Sequence, residues 1–179
     1  DRAAALVRQL MAFSRRRLGR PERADLNDLL RMAEPAVQAV LERAGGLCYE
    51  LSERPLLVVV DKSQIEEILL NLVLNAKAAI GADGCVAIRT GAARVDGRGY
   101  ALWEVADNGC GMPPEVRDRV FEPFFTTREV GQGTGLGLSA VYGLVQQAGG
   151  RIECESRVGR GSTFRILLPL NASPTTSAA

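Results

Sequence analysis

Hydrophobic residues recur at helical spacing most regularly between Asp61 and Ile80. Spacings of three and four residues place the apolar side chains along one face, which is typical of a helix that packs on a protein core. Asp61 or Ser63 is expected to cap the N-terminus, because both side chains can accept a hydrogen bond from a free backbone N–H group. The predicted core face consists of Ile65, Ile68, Leu69, Leu72, Val73, Ala76 and Ile80.

Weaker helical patterns occur in three other parts of the chain. One predicted helix begins after a cap at Asn27 or Asp28 and runs to about Arg43. Another runs from about Leu136 to Ala148 and ends at the glycine pair that follows. The N-terminal stretch carries a short apolar stripe that needs a partner helix, formed by Leu6, Leu10 and Phe13.

Apolar runs between these helices predict strands. They are rich in residues that favour strands and are bounded by turn-forming residues. The sequence DGRG between two of them is suited to a hairpin turn. Helices and strands together predict an α+β fold, a two-layer sandwich with a mixed β-sheet and helices on one face. The predicted strands are Leu47–Leu51, Leu56–Val60, Cys85–Val95, Tyr100–Ala106, Arg151–Ser156 and Ser162–Pro169.

Composition narrows the chemistry that the chain can support. Lys and Arg number 22 against 21 acidic residues, and a net charge of +1 gives no electrostatic case for nucleic-acid or membrane-surface binding. The sequence contains no histidine, which removes the commonest general base and the usual partner of cysteine in zinc sites. We expect a soluble, cytoplasmic segment with four reduced, mostly buried thiols, at Cys48, Cys85, Cys110 and Cys154.

Two asparagines are the first candidate functional residues. Asn71 and Asn75 lie one turn apart on the predicted helix, on a stripe with Glu67 along the edge of its apolar face. Half-buried amides are unfavourable unless they are hydrogen-bonded, so the pair indicates that something polar is held against the helix. The residues alone leave open a structural alternative, in which the amides cap a neighbouring loop.

The second candidate is the motif DNGCGM, which follows a predicted strand. Asp107 emerges at the tip of the strand, where its carboxylate can accept hydrogen bonds from the amino group of a flat heterocycle. Gly109 and Gly111 allow a tight turn and a close approach of the backbone to a ligand. An ordinary turn capped by Asp107 is the alternative.

The third candidate is the glycine-rich sequence GQGTGLGLS, which leads into a predicted helix. Glycines and the positive end of a helix dipole together suit phosphate oxygens, although the sequence matches neither a P-loop nor Gly-x-Gly-x-x-Gly. The connection from Asp107 to Thr134 is longer than loops that only connect two elements usually are, so it is a candidate binding loop or lid. The glycines are Gly131, Gly133, Gly135 and Gly137.

The order of these motifs is more specific than any one of them. The asparagine helix, DNGCGM, FEPFFTT and GQGTGLGLS follow one another between about Ala24 and Leu170. In this order the chain resembles the catalytic and ATP-binding domain of sensor histidine kinases, within the wider gyrase, Hsp90, MutL and histidine-kinase superfamily. The resemblance implies the superfamily's ATP-binding fold, ATP and Mg²⁺ as cofactors, and a mobile lid. Phe121, Phe124 and Phe125 either pack this lid or dock a partner helix.

The resemblance also implies roles for individual residues. Asn75 is the implied Mg²⁺ ligand, Asn71 lies beside the phosphates, and Asp107 binds the adenine amino group. Thr163, in GRGSTF, supports the adenine site. Lys77 either reaches a phosphate or is solvated. The implied nucleotide-binding set is Asn71, Asn75, Lys77, Asp107, Gly109, Gly111, Met112, Thr127, Gly133, Thr134, Gly135, Leu136, Gly137 and Thr163.

The implied activity is transfer of the ATP γ-phosphoryl group to a histidine on a helical hairpin. The implied downstream partner is a response regulator. The alternatives are an ATPase of the same superfamily and a non-catalytic nucleotide-sensing module. ATPase relatives carry a Glu base where Asn71 stands, so slow hydrolysis is expected, with Glu67 a weak alternative base.

The expected domain organisation follows the same resemblance. Residues 1–23 are expected to be the end of the second hairpin helix plus a linker that starts near Arg15. Residues 24–170 are expected to form the ATP-binding domain, and 171–179 a disordered tail. The resemblance implies a parent protein that is usually a homodimer, and the near-zero net charge predicts no nucleic-acid or membrane contact by this segment.

Overall fold

A mixed five-stranded sheet forms the framework of the computed structural model, which describes residues 20–41, 46–128 and 133–171. The strand order is β2-β4-β5-β7-β6, in which β2 and β4 are parallel and the other neighbours are antiparallel. β1 and β3 form a separate antiparallel pair. In chain order the elements are β1 (Glu22–Asp25), α1 (Leu26–Leu41), β2 (Gly46–Glu50), β3 (Leu57–Val60), α2 (Lys62–Ala79), β4 (Cys85–Val95), β5 (Arg98–Asp107), α3 (Pro114–Arg117), α4 (Gly137–Gln147), β6 (Arg151–Ser156) and β7 (Ser162–Pro169).

The core lies between one face of this sheet and the helices, which confirms the predicted α+β sandwich. Strand residues alternate between buried and half-exposed positions, as expected for a sheet with one covered face. α2 packs on β4 and β5, α4 packs on β6, and α1 packs on α2. The buried strand residues include Val86, Ile88, Ala101, Trp103, Val105, Phe164, Ile166 and Leu168.

Helix α2 forms as its apolar spacing predicts. Asp61 is the N-cap, and its carboxylate accepts a hydrogen bond from the Ser63 N–H at 2.9 Å. Six of the seven predicted core residues are buried, and Ile80, at the C-cap, is half-buried. The hairpin prediction is also confirmed, since Asp96 and Gly97 form a two-residue turn with positive φ values of 49° and 78°.

The start of α1 differs from the prediction. The stretch through Ala24, expected to be linker, includes β1, which pairs with β3. Asp25 accepts hydrogen bonds from the backbone N–H groups of Asn27 and Leu56, each at 3.0 Å. Asn27 and Asp28 therefore do not cap the helix, because it begins one residue earlier and Asn27 is buried at 2% exposure.

Some predictions are wrong, and others concern residues that the structure does not describe. All four cysteines are free, but Cys48 and Cys110 are exposed, contrary to the expectation of burial. The predicted N-terminal stripe at Leu6, Leu10 and Phe13 lies outside the described residues. The same is true of Arg43, Gly131 and residues 172–179. No helix within the described ranges is long and apolar enough to cross a membrane.

Candidate functional site

A cleft of about 390 Å³ opens beside the middle of α2. One wall comes from α2, and the opposite wall comes from the loop before α4 and the start of α4 itself. Residues around α3 and the FEPFFTT segment close the ends. The lining residues are Asn71, Leu74, Asn75, Met112, Val116, Val120, Phe125, Thr126, Thr127, Arg128, Gly133, Thr134, Gly135, Gly137 and Leu138.

The two asparagines occupy one wall of the cleft because residues four apart lie on the same helix face. The Asn71 side-chain N–H donates to the carbonyl oxygen of Glu67 at 2.9 Å, which leaves its amide oxygen for the cleft. The amide oxygen of Asn75 accepts a hydrogen bond from Arg128 Nη2 at 3.3 Å. The cleft therefore presents amide oxygens on one side and a guanidinium group close to one of them.

The N-terminus of α4 faces this asparagine pair. A Cβ atom placed on Gly137 would lie 3.1 Å from the Asn71 amide oxygen, so the helix start lies close to α2. The first helical hydrogen bond runs from the Ala140 N–H to the Leu136 carbonyl, and no side chain caps the helix. The N–H groups of the first turn and the positive end of the helix dipole are therefore directed at the cleft.

The loop before α4 is held against the FEPFFTT segment by backbone contacts. Gly135 has a φ of 65°, and its carbonyl oxygen accepts the Phe124 N–H at 2.9 Å. A Cβ atom on Gly135 would lie 2.7 Å from the Phe124 Cα, too close for any other residue. Phe124 itself has a φ of 66°, which is uncommon for a residue other than glycine, so the backbone is strained on the Phe124 side of this crossing.

The FEPFF aromatic residues divide between two environments. Phe121 packs against Tyr142 and Phe164, with ring centroids 5.6 Å and 6.3 Å away. Phe125 lines the cleft, and the Arg119 guanidinium lies 4.3 Å from its ring centroid. Phe124 is 65% exposed. The packing alternative therefore holds for Phe121, and the structure leaves Phe124 open to solvent.

Asp107 lies at the end of β5, beyond the open cleft. One carboxylate oxygen, Oδ1, accepts the Gly109 N–H at 2.9 Å and the Ser162 N–H at 3.3 Å. Burial raises the pKa of Asp107 above its usual value, and these two hydrogen bonds oppose the shift. Oδ2 has no hydrogen-bond partner among the described residues, so it is the oxygen available to a ligand.

The loop after Asp107 is fixed by the turn between β6 and β7. Gly111 has a φ of 63°, and a Cβ atom there would overlap the carbonyl group of Arg157. Gly159 donates its N–H to the Cys110 carbonyl at 2.7 Å, and Met112 donates its N–H to Ser156 Oγ at 2.8 Å. Asp107 and Met112 are therefore held on a backbone with little freedom to move.

Comparison with known proteins agrees with this geometry. The family described as histidine kinase-, DNA gyrase B- and HSP90-like ATPase matches residues 60–172, which is more than half of the chain. The chain belongs to this family. It is 46% identical over 184 residues to the sensor kinase CckA of Brucella abortus (strain 2308), an alignment that covers 94% of the chain but 19% of CckA. The chain thus spans less than a fifth of the length of this relative.

Solved structures of family members lead to the same assignment. The nucleotide-free catalytic domain of the histidine kinase ThkA matches with a TM-score of 0.72 and 30% identity, covering 84% of this chain and 95% of that one. ThkA in complex with the response regulator protein TrrA matches with a TM-score of 0.73 and 26% identity, covering 95% and 48%. The resemblance to the catalytic and ATP-binding domain of sensor histidine kinases is thereby confirmed.

The structure brings together most of the site residues expected for this family. Gly109 and Gly111 form the loop beyond Asp107, and Leu136 immediately precedes α4. Their nucleotide-binding roles remain predictions. The predicted residues that line the cleft are Asn71, Asn75, Met112, Thr127, Gly133, Thr134, Gly135 and Gly137.

Two predicted residues lie away from the cleft. Lys77 follows Asn75 by two positions, which turns its side chain about 200° around α2, and it is not among the lining residues. Thr163 pairs with Ala106 and lies on the opposite face of β7 from the buried Ser162 and Phe164. The geometry favours a residue other than Thr163 beside Asp107, and the role predicted for Lys77 remains a prediction.

That other residue is Ser162, which sequence reasoning missed. Ser162 is 6% exposed, pairs directly with Asp107 and donates its backbone N–H to the carboxylate. The alternation along β7 could have identified it, because Ser162 is in phase with the buried Phe164 and Thr163 is not. Arg128 was also missed, and no sequence pattern indicates that it meets Asn75 across 53 residues.

Proposed function

We propose that this chain is the ATP-binding catalytic part of a sensor histidine kinase. It binds ATP and transfers the γ-phosphoryl group to a histidine that this sequence does not contain. The observation that carries the proposal is the arrangement of Asn71 and Asn75 opposite the uncapped N-terminus of α4. Such a helix start suits phosphate oxygens, and the amide oxygens suit the cation that accompanies them.

The nucleotide would lie along the cleft from Asp107 to Asn75. Asp107 Oδ2 accepts a hydrogen bond from the adenine amino group, with Ser162, rather than Thr163, as its neighbour on β7. The glycine-rich loop and the first turn of α4 contact the phosphates through backbone N–H groups. Arg128 is the only basic residue among the described residues that line the cleft, and it provides a positive charge for the γ-phosphate.

The oxygen donors of the cleft fit a Mg²⁺ ion. Mg²⁺ prefers oxygen ligands and is commonly held by one or two side chains together with water and substrate phosphates. Asn75 would hold it through the amide oxygen that lines the cleft, with Asn71 beside it. Arg128 contacts this Asn75 oxygen at 3.3 Å, so its side chain has to move when the ion binds. When bound, the ion neutralises negative charge on the phosphates.

The residues of the cleft favour phosphoryl transfer over hydrolysis. In the proposed reaction the bond between the γ-phosphorus and the bridging oxygen breaks, a P–N bond to imidazole forms, and ADP leaves. Positioning and charge neutralisation provide most of the catalysis of such a transfer. Asn71 cannot take a proton from water at neutral pH, and Glu67 is exposed and does not line the cleft. Neither residue is therefore suited to activate water.

The proposed activity requires partners outside this sequence. The phosphoacceptor histidine would lie on a helical hairpin of the same or a partner chain, and the residues before β1 would be the end of that hairpin plus linker. The catalytic domain would run from the start of β1, which pairs with β3, to residue 170, in a parent protein that is a homodimer. The complex of ThkA with TrrA supports a response regulator as the phosphate receiver. Use of ATP implies a cytoplasmic location.

A reconstitution experiment tests the proposal. The chain is mixed with a separately made phosphoacceptor hairpin, Mg²⁺ and γ-labelled ATP, and acid-labile label on histidine is measured. We expect labelling by the wild type, loss of labelling in Asn75→Ala, and normal labelling in Asn171→Ala, an exposed asparagine outside the cleft. Tight ATP binding without labelling would favour a sensing module, and rapid ATP hydrolysis without the hairpin would favour an ATPase.

A further inference from the structure

Three polar side chains form a row across one end of the sheet. Asp107 on β5 pairs with Ser162 on β7, and Ser162 pairs with Ser156 on β6. Residues directly opposite each other on neighbouring strands point to the same face of a sheet. Phe164, two positions further along β7, is buried on the helix side. All three polar side chains therefore face the helices and border the base end of the proposed nucleotide site.

The hydrogen bonds of Ser156 fix the position of its single proton. Its Oγ lies 2.8 Å from the Met112 N, 3.0 Å from the Gly161 carbonyl oxygen and 3.0 Å from Ser162 Oγ. An N–H group can only donate and a carbonyl can only accept. Ser156 therefore accepts from Met112 and donates to Gly161. Ser156 then has no proton left for Ser162, so their 3.0 Å contact is a hydrogen bond only when the Ser162 hydroxyl donates.

The opposite direction of the hydrogen bond between Ser156 and Ser162 is unfavourable. If Ser156 donated to Ser162, its oxygen and the Gly161 carbonyl oxygen would lie 3.0 Å apart with no proton between them. With its proton directed at Ser156, Ser162 presents only lone pairs to a ligand. Asp107 Oδ1 is occupied by two backbone N–H groups, and Oδ2 has no partner among the described residues. A ligand at this end of the site thus meets hydrogen-bond acceptors.

We infer that Ser156 sets the direction of the Ser162 hydroxyl and thereby makes the base site select a 6-amino purine over a 6-oxo purine. This inference rests on the proposed function, which brings a purine next to Asp107. An amino group donates to the two acceptors, Asp107 Oδ2 and Ser162 Oγ. A 6-oxo group is itself an acceptor, so neither partner would gain a hydrogen bond from position 6, although both would lose water. Ser156 acts as a positioning residue, because it works through Ser162.

The test compares ATP with inosine triphosphate, which carries an oxygen at position 6. Dissociation constants of both nucleotides are measured by titration calorimetry with the full chain, and the ratio of ITP to ATP is compared between variants. In Ser156→Ala the Ser162 hydroxyl can turn and donate to the 6-oxo group. We expect the ratio to fall about five- to tenfold. Ser156→Thr, which keeps the hydroxyl, should retain the wild-type ratio, and so should Ser63→Ala in the first turn of α2.

A purely structural role for Ser156 gives a different result. Both nucleotides would then weaken by the same factor in Ser156→Ala, and an unchanged ratio overturns the inference. If this variant does not fold, Ser156→Cys retains the volume with a much weaker donor and should lower the ratio in the same direction. In a Ser162→Ala background the further change Ser156→Ala should leave the ratio unchanged, and an additional fall would also overturn the inference.

Nucleotide binding by the wild type distinguishes a failure of this inference from a failure of the proposed function. If the wild type binds no nucleotide, or binds ATP and ITP equally, the proposed adenine site is wrong and the inference is wrong with it. If the wild type prefers ATP and Ser156→Ala has the same ratio, only the inference is wrong.

Discussion

At the scale of single residues, the direction of hydrogen bonds determines what the site can recognise. Asp107 uses one oxygen to hold its own loop and Ser162, and it offers the other to a ligand. Its carboxylate is only a hydrogen-bond acceptor when ionised. A substitution that keeps its shape and changes the hydrogen-bonding groups therefore isolates recognition from folding.

Asp107→Asn is such a substitution. Its amide oxygen would take the position of Oδ1, where two backbone N–H groups donate, so its NH₂ group would face the ligand. A donor then meets the adenine amino donor, and we expect the affinity for ATP to fall about a hundredfold. Titration calorimetry measures this loss, and far-UV circular dichroism checks that the fold is intact. Unchanged ATP affinity would refute the assignment of Asp107.

The raised pKa of Asp107 predicts how the same variant responds to pH. Because burial raises the pKa in the folded state, the native protein binds a proton more readily than the unfolded chain. The stabilising contribution of Asp107 is therefore present below its ordinary pKa and is lost as the pH rises through the raised value. We expect Asp107→Asn to gain stability relative to the wild type at neutral pH, and this gain to shrink as the pH is lowered. Urea unfolding from pH 7 to pH 4 tests this, and a gain that grows in acid would contradict it.

At the scale of elements, loop crossings hold the cleft open. The loop before α4 crosses the FEPFFTT segment at Gly135 and Phe124, and both have positive φ values. The carbonyl of Gly135 accepts the Phe124 N–H at 2.9 Å, so the two segments move together. The phosphate end of the cleft therefore depends on Gly135, because a side chain at this position would meet the Phe124 backbone.

Gly135→Ala should displace this crossing. The new Cβ would overlap the Phe124 backbone and stands on a residue with φ of 65°. We expect a loss of about 1–2 kcal/mol in stability and about a tenfold loss in ATP affinity, because the backbone donors of the loop shift. Gly143→Ala is the matched control in α4, since no heavy atom lies within 4 Å of its added Cβ. The control should gain about 0.5–1 kcal/mol with ATP affinity unchanged. Equal affinities for both variants would refute a role for the crossing.

A second prediction at this scale concerns the buried Asn27. Its NH₂ group donates to the carbonyls of Ser52 and Arg54 at 3.2 Å and 3.1 Å, and its amide oxygen accepts from Thr90 Oγ1 at 2.6 Å. These bonds connect α1 to β4 and to the loop before β3. Asn27→Ala should therefore destabilise the fold by about 2–3 kcal/mol, as judged from the urea midpoint, without changing the m-value. A loss below about 0.5 kcal/mol would show that water replaces the amide.

At the scale of the whole molecule, periodicity predicted most of the fold and motif order predicted the family. The phase of α2 and the alternation along β7 are visible in the sequence because each element buries one face. β1 was missed because its four residues, Glu22–Asp25, become a strand only by pairing with β3. Arg128 and Asn75 meet through tertiary folding, which no local pattern records. Local patterns therefore predicted the elements, and long-range contacts had to come from the structure.

Ligand binding should couple the cleft to the stability of the whole domain. A ligand that binds only the folded state stabilises it by RT ln(1 + [L]/Kd), about 2.7 kcal/mol at a hundredfold excess over Kd. If Asn75 holds Mg²⁺ beside the phosphates, removing the ion with EDTA should lower this ATP-dependent stabilisation in the wild type. Asn75→Ala should gain little from ATP and should respond weakly to EDTA, whereas Asn171→Ala should match the wild type. Thermal unfolding with ATP, with and without EDTA, measures each case. An EDTA effect as large in Asn75→Ala as in the wild type would assign the ion to other ligands.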